Sequence, residues 1–280
     1  MTVRAAVIEA PGRPPAVVDR EPPDATPEQV PVEVTAAPIT PLDLLCASGT
    51  SYFGVPVTPY VPGIQGQVSA MCAATAESPG AATSTGSAPW RGELTAGEQV
   101  VVLGAGGVVG QAAVQLARAG GARRVVAGAR SAAGQDRAKQ AGADAVVALD
   151  SDDVTELAAR FEAACDGPVD LVLDPLFGLP AAAAARTLRP GGRLVNLGSS
   201  AGETCPIDSS TLRSRSLRLL RYTNNALTPE QRGAALRIVA EHAARGALTV
   251  AHEIVPLDDV AAAWQRQASG AAAGRIVLVP

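Results

Sequence analysis

The sequence predicts an α/β protein with a doubly wound parallel sheet and a second, β-rich part. Between residues 97 and 200, short runs rich in valine and leucine alternate with segments of helical periodicity. This alternation is typical of a parallel sheet with helices on both faces. The run 99–103 leads into a glycine loop and an apolar helix, which is the most specific feature of the chain.

The alternating region is predicted element by element, with turn residues where such a sheet needs them, at 141–144, 166–168 and 189–192. The expected order is strand 99–103, helix 108–119, strand 123–128, helix 132–141, strand 145–148, helix 153–165, strand 169–173, helix 178–188 and strand 192–197. A strand at 216–221 and a helix at 228–246 follow. The last segments predict a strand at 253–256, a helix at 258–268 and a strand at 275–279.

The first 67 residues are β-rich, and their proline density argues against helices. Strands are expected at 3–9, 16–18 and 30–34. Residues 68–89 consist mainly of Ala, Ser, Thr, Gly and Pro without a period, which predicts an irregular linker. We therefore expect a nucleotide-binding domain at 93–247 and a second domain made from 1–92 and 248–280.

Composition and charge argue against several classes of partner and site. The 280 residues carry a formal net charge of −4 without a clustered basic face, which disfavours nucleic acid and anionic membranes as partners. The amino terminus resembles a strand rather than a signal sequence, and we expect a cytoplasmic protein. The four cysteines, at 46, 72, 165 and 205, lack the spacing of a zinc cluster or a disulfide framework.

The glycine loop has the character of a phosphate-binding site. Glycines at 104, 107 and 110 leave no Cβ between a pyrophosphate and the backbone N–H groups, and the positive end of the next helix dipole favours the negative charge. Because position 109 is valine, the spacing G-x-G-x-x-G is met only loosely, and the flanking strands and helix carry the prediction. The expected contacts are Gly104, Ala105, Gly107, Val108, Val109 and Gly110.

The second strand of the region ends at Arg130 and Ser131, where an enzyme that prefers NAD would place an acidic residue. A guanidinium there suits a 2′-phosphate through charge-assisted hydrogen bonds. The sequence therefore predicts NADPH as the cofactor. The alternative is that Arg130 is a solvated charge at a strand end.

The chain resembles the zinc-independent quinone oxidoreductase branch of the medium-chain dehydrogenase/reductase superfamily over about 1–67 and 90–280. The resemblance is carried by several motifs together: Pro38-Ile-Thr-Pro-Leu-Asp43, Ser48-Gly49, Tyr60-Val-Pro-Gly63, the glycine loop from Leu103 to Gln111, Gly142-Ala-Asp144, Leu188-Arg-Pro-Gly-Gly-Arg193, Leu197-Gly198 and Gly274-Arg-Ile-Val-Leu-Val-Pro280.

The resemblance implies a Rossmann-type nucleotide domain, a GroES-like substrate domain and a homodimer. It also implies hydride transfer from NADPH to a small-molecule quinone, enone or enoyl acceptor without a metal, because Ile64 and Gln65 stand where zinc-using members have His and Glu. The linker at 68–89 replaces part of the GroES-like domain, so the resemblance covers a truncated form. A binder of NADP(H) that has lost its substrate pocket and serves as a sensor or partner subunit is therefore the alternative.

The resemblance also suggests which residues lie beside the substrate and the nicotinamide. Thr40, Asp43 and Tyr52 fall where the family brings polar groups near the acceptor, and Tyr52 could donate to a reduced carbonyl. Asp43 could equally cap a short helix that starts at Pro41. Gly198 and Ser199 follow the fifth strand and are expected to touch the nicotinamide. A methyltransferase, which shares the motif at 189–195, is disfavoured because no acidic residue directly precedes Gly104.

Overall fold

The computed structural model describes residues 2–22, 24, 26–28, 33–51, 54–63, 92–222 and 227–280. These residues fall into two compact units. One unit comes from residues 1–66 and 251–280, and the other from residues 67–250. The predicted domain limits at 92 and 248 stay predictions. The predicted linker at 68–89 lies outside the described part of the chain.

The first unit begins with short strands and a helix, so the expectation that proline density excludes helices from the first 67 residues is wrong. Its elements are β1 (Val3–Val7), β2 (Ala16–Arg20), β3 (Ala37–Pro38) and α1 (Pro41–Ser48). β1 and β2 form an antiparallel pair. Proline at the first position of α1 sets a helical φ at no cost in hydrogen bonds, because that N–H has no partner inside a helix.

The second unit alternates strands and helices. Its strands are β4 (Gln99–Leu103), β5 (Arg124–Ala129), β6 (Ala145–Ala148), β7 (Val169–Asp174), β8 (Leu188–Asn196) and β9 (Arg218–Arg221). Its helices are α2 (Val108–Ala119), α3 (Ala132–Gln140), α4 (Val154–Ala164), α5 (Gly178–Ala185), α6 (Ser209–Ser214) and α7 (Pro229–Ala244).

The six strands described in the second unit run parallel, in the order β6-β5-β4-β7-β8-β9. Alternate residues of β4 enter opposite cores. Val100 and Val102 pack with α2, α3 and α7, whereas Val101 and Leu103 pack with α4 and α5. The predicted α/β class with a Rossmann-type doubly wound sheet is therefore confirmed. Ligands of such sheets bind at the carboxyl ends of the strands where the order reverses, here between β4 and β7.

The chain then returns to the first unit with β10 (His252–Pro256), a short 3-10 turn (Leu257–Asp259), α8 (Val260–Ser269) and β11 (Arg275–Val279). β11 lies between β10, which is parallel to it, and β3, which is antiparallel. The core of this unit contains Ile8, Ile39, Trp264 and Ile276. The small sheets fit the truncated GroES-like part that the resemblance implies.

Some predicted elements differ from the structure. The strand predicted at 30–34 is wrong where it can be seen: Glu33 and Val34 lie outside any strand, and residues 30–32 are not described. The strand forms instead at Ala37–Pro38, where the backbone meets β11. The predicted turn at 189–192 belongs to β8, which takes up the extra residues as a register shift against β7.

Among the described residues, no helix combines the length and the apolarity that crossing a bilayer requires.

Candidate nucleotide-binding site

The glycine loop joins the carboxyl end of β4 to the start of α2. The Ala105 N–H donates to the Gly128 carbonyl of β5 at 3.0 Å, and the Gly107 N–H donates to the Gly104 carbonyl at 3.0 Å. Gly107 is the N-cap of α2 and has no side chain to bond the first turn. The first N–H groups of a helix have no partner within it. These groups, from Val108 onward, therefore provide the donors that an anion needs.

The helix and the loop approach each other so closely that position 110 must be glycine. A Cβ added to Gly110 would lie 2.3 Å from the Gly104 carbonyl oxygen and 2.4 Å from the Cα of Ala105. Such distances are far below a van der Waals contact. Glycine at position 110 therefore lets the start of α2 lie directly against the loop, which any side chain would prevent. This cradle fits a diphosphate group.

A second close contact was missed in the sequence. A Cβ on Gly106 would lie 2.6 Å from the Cα of Gly134, in the first turn of α3. Arg137 of α3 donates its Nε–H to the Gly106 carbonyl at 2.8 Å. The signal was a glycine inside a predicted helix, which costs stability unless a neighbouring backbone needs the space.

Arg130 and Ser131 lie at the same edge of the sheet as the glycine loop, because Gly128 of β5 is the register partner of Leu103 in β4. Arg130 is exposed. Ser131 is the N-cap of α3, and its Oγ accepts from the Gly134 N–H at 3.1 Å. The cap leaves the hydroxyl hydrogen of Ser131 available for a ligand.

Gly198 and Ser199 follow β8, also at the carboxyl edge. The Gly198 carbonyl accepts from Asn196 Nδ2 at 2.8 Å, and Ser199 Oγ donates to Glu203 Oε1 at 2.5 Å. A Cβ on Gly198 would lie 3.1 Å from the Pro175 carbonyl oxygen. The segment after β8 thus packs backbone to backbone against the segment after β7.

Asp174 ends β7 and is completely buried. Its Oδ1 accepts from the N–H groups of Leu176 at 3.0 Å and Phe177 at 2.7 Å. Its Oδ2 accepts from Asn196 Nδ2 at 3.1 Å. Burial raises the pKa of this carboxyl above its ordinary value, and the three hydrogen bonds oppose that shift.

In the first unit, Thr40 and Asp43 bond to each other. The Asp43 Oδ2 accepts from the Thr40 N–H at 2.7 Å and from its hydroxyl at 2.6 Å, and the Asp43 N–H donates to Thr40 Oγ1 at 3.3 Å. Both side chains are buried and form a capping box at the start of α1. This is the capping role that the sequence allowed for Asp43. A direct catalytic role for either residue stays a prediction, and Tyr52 lies outside the described residues.

No group of three or more His, Cys, Asp or Glu side chains that could hold a metal occurs in the described part of the chain. Ile64 and Gln65, which stand at the predicted position of the zinc ligands, are not in that part. His242 lies in α7 and His252 in β10.

Comparison with known proteins supports these observations. The family described as zinc-binding dehydrogenase matches residues 108–241. One subunit of the phenolphthiocerol/phthiocerol polyketide synthase of Mycobacterium tuberculosis is 32% identical over 203 residues, which is 67% of this chain and 9% of that protein. The chain thus spans less than a tenth of the length of the curated relatives it matches.

Two solved structures share the fold over nearly the whole chain. A probable oxidoreductase from Mycobacterium abscessus is 24% identical with a TM-score of 0.80, covering 100% of this chain and 99% of the other. The quinone oxidoreductase of Thermus thermophilus, also solved with NADPH, is 23% identical with a TM-score of 0.76, covering 99% of this chain and 100% of the other. The match to the zinc-binding dehydrogenase family over residues 108–241 and the shared fold agree with the resemblance to the medium-chain dehydrogenase/reductase superfamily that the motifs carry.

Proposed function

We propose that this chain is an NADPH-dependent oxidoreductase that transfers a hydride, without a metal, to a quinone, an enone or an enoyl-type acceptor. The observation that carries the proposal is the glycine loop at the carboxyl end of β4. Its backbone lies against the start of α2 at a distance that only glycine at position 110 permits.

The residues of the second unit divide the binding of NADPH among them. The glycine loop and the first N–H groups of α2 hold the pyrophosphate. The exposed guanidinium of Arg130 and the hydroxyl of Ser131 hold the 2′-phosphate, for which a planar cation is well suited. The backbone of Gly198 and Ser199 lies beside the nicotinamide. NADPH as the cofactor is also supported by the quinone oxidoreductase of Thermus thermophilus, which was solved in complex with it.

The bound cofactor would supply a hydride to an acceptor carbon that is conjugated to an oxygen. The protein must hold the acceptor, exclude water and offer a hydrogen bond to the oxygen that gains charge. In our proposal Tyr52 donates that hydrogen bond. Thr40 and Asp43, which the resemblance also places near the acceptor, fix the start of α1, because the Thr40 hydroxyl donates to the Asp43 carboxylate.

The test is NADPH oxidation by the purified chain against a quinone, an α,β-unsaturated ketone and an enoyl thioester, with and without a metal chelator. We expect turnover of at least one acceptor at a rate that the chelator leaves unchanged. Loss of turnover on chelation would contradict the metal-free mechanism. Binding of NADPH with no oxidation by any acceptor would favour the alternative, a sensor or partner subunit that has lost its substrate pocket.

Two further parts of the proposal concern the oligomeric state and the cellular location. β9 is an edge strand of the sheet, and its Leu219 is 49% exposed, which suits pairing with a second copy in the homodimer that the resemblance implies. Sedimentation as a monomer at micromolar concentration would contradict the homodimer. The cytoplasmic location stays a prediction.

A further inference from the structure

We propose that Asp174 is a positioning residue of the nucleotide site. Together with Asn196 it fixes two backbone segments: 175–178, which packs against the glycine loop, and 197–201, which packs against 175–178. The inference deepens the proposed function and rests on it for its effect on NADPH. Its structural part is independent, because it concerns backbone order in the protein without ligand.

The segment after β7 adopts an unfavourable backbone. Phe177 has φ of 59° and Gly178 has φ of 63°, both in the left-handed region. A phenylalanine in this region is strained and persists only where its surroundings hold it. Asp174 Oδ1 accepts from the N–H groups of both Leu176 and Phe177, so the carboxylate holds the two peptide units that lead into the strained turn.

Asn196 extends the same network to the next strand. It is the register partner of Asp174 at the ends of β7 and β8. Its Nδ2 group donates to Asp174 Oδ2 at 3.1 Å and to the Gly198 carbonyl at 2.8 Å. The Ala201 N–H then donates to the Leu176 carbonyl at 2.7 Å. One carboxylate and one amide therefore tie together the segments that follow two neighbouring strands.

The turn reaches the phosphate loop by direct packing. A Cβ on Gly104 would lie 3.0 Å from Leu176 Cδ2 and 3.2 Å from Pro175 Cγ, so these side chains form a wall of the loop at its first glycine. A movement of the turn at 175–178 would therefore change both this wall of the glycine loop and the position of Gly198.

The chemistry of the carboxylate agrees with this role. Among the described residues, the hydrogen-bond partners of the Asp174 carboxylate are two backbone N–H groups and a neutral amide, with no cation. Burying a carboxylate without a cation is unfavourable, and the three donors are what compensates for it. A neutral isostere cannot reproduce the set, because one of its two polar atoms is a donor.

The decisive variant is Asp174→Asn, which keeps the size of the side chain and turns one acceptor into an NH₂ group. With Oδ1 still accepting from the turn, that NH₂ group would face the Nδ2 donor of Asn196. Because two donors cannot face each other without a bond, the side chain should leave this position, and hydrogen exchange of the unliganded protein should be faster at Leu176, Phe177 and Ala201. The affinity for NADPH should fall by up to about tenfold to a hundredfold, because binding would then have to restore the order that the lost hydrogen bonds to a charged group had provided.

The matched control is Asp144→Asn at the opposite edge of the sheet. Asp144 Oδ2 accepts from the Val125 N–H at 2.7 Å, and the carboxylate also pairs with Arg118. This variant loses a comparable bond between a carboxylate and a backbone amide. It should lower the melting temperature without changing NADPH affinity, so a loss of affinity equal to that of Asp174→Asn would overturn the positioning role.

The double variant Asp174→Asn with Asn196→Asp separates the hydrogen bonds to Leu176 and Phe177 from the hydrogen bond to the Gly198 carbonyl. The donor and acceptor are exchanged, so residue 174 can again bond to residue 196 while its oxygen accepts from Leu176 and Phe177. The Gly198 carbonyl then faces an acceptor. Protection should return at Leu176 and Phe177 and stay low at Ala201.

Should Asp174→Asn fail to fold, Asn196→Ala removes only the hydrogen bonds of the Asn196 amide. This variant should raise exchange at Ala201. Unchanged exchange in every folded variant would overturn the inference. If the wild-type protein binds no NADPH, the proposed function fails, while the exchange pattern still decides whether Asp174 and Asn196 order these segments.

Discussion

Single side chains at the carboxyl edge of the large sheet mostly serve the backbone. Ser131 caps α3, Asp174 holds a turn, and Asn196 bridges to the Gly198 carbonyl. In our proposal the backbone of the glycine loop, where glycines leave out the side chains, provides the donors for an anion. Arg130 is the exposed cation of this set, which makes it the side chain through which the site would tell two dinucleotides apart.

The pKa of the Cys205 thiol depends on the charge of Asp174. Burial, together with the charge of Asp174, raises the pKa of the Cys205 thiol to about 11. Because the thiolate is the reactive form, alkylation by iodoacetamide at about pH 8 should be roughly a hundredfold slower than for an ordinary thiol, and should rise as the pH approaches the raised pKa. The Asp174→Asn variant should shift this profile to lower pH. Mass spectrometry of the Cys205 peptide measures both.

Cys165 is the internal control for that experiment. Burial also raises its pKa to about 11, but Asp174 is not among the causes. Its alkylation profile should therefore be the same in the wild type and in Asp174→Asn. Equal shifts at both cysteines would indicate a general loosening of the fold and would contradict the direct effect of the Asp174 charge.

The sequence could predict a role for Gly104, Gly107 and Gly110 because that role is local to one loop. It missed Gly106, Gly134 and Arg137 because that contact joins two elements whose spacing only the folded sheet determines. The same limit applies to Thr40. Its capping box could be read from the spacing to Asp43, but its burial could not.

Among the helices and strands, the position of α2 matters most for the proposed nucleotide site. Gly110→Ala would place a methyl group within 2.4 Å of the loop backbone. Backbone cannot move aside as a side chain can, so the variant should lose about 1–3 kcal/mol of unfolding free energy and most of its NADPH affinity. Thermal unfolding and a fluorescence titration measure the two effects.

Gly233→Ala in α7 is the matched substitution, because an added Cβ there meets nothing within 4 Å. Alanine in the interior of a helix should stabilise the protein by about 0.5–1 kcal/mol and leave NADPH affinity unchanged. A Gly110→Ala protein that bound NADPH as well as the Gly233→Ala protein would refute the cradle.

The elements of the large sheet were predictable because parallel strands buried on both faces are continuous apolar runs. The errors lie where tertiary contacts decide. β8 starts at Leu188 rather than at 192, since β7 offers it a partner across the predicted turn. β3 consists of two residues at a proline, a position that only pairing with β11 determines.

At the level of the molecule, the two compact units have different parts in the proposal. The second unit, 67–250, carries every predicted cofactor contact, whereas the first, 1–66 with 251–280, carries Thr40, Asp43 and Tyr52. The family and the nucleotide fold could be read from the sequence because their motifs lie within continuous segments. The acceptor could not, because its specificity depends on a pocket that no single motif encodes.

The most direct measurement is a titration of the folded protein with NADPH and NADH, for the wild type, Arg130→Ala and Arg123→Ala. Arg123 precedes the amino end of β5, so its loss is the control for a general change of charge. We predict that NADPH binds more tightly than NADH, and that only Arg130→Ala weakens NADPH, by about tenfold to a hundredfold, with NADH unaffected. If folded protein bound neither nucleotide at millimolar concentration, the glycine loop would not be a dinucleotide site.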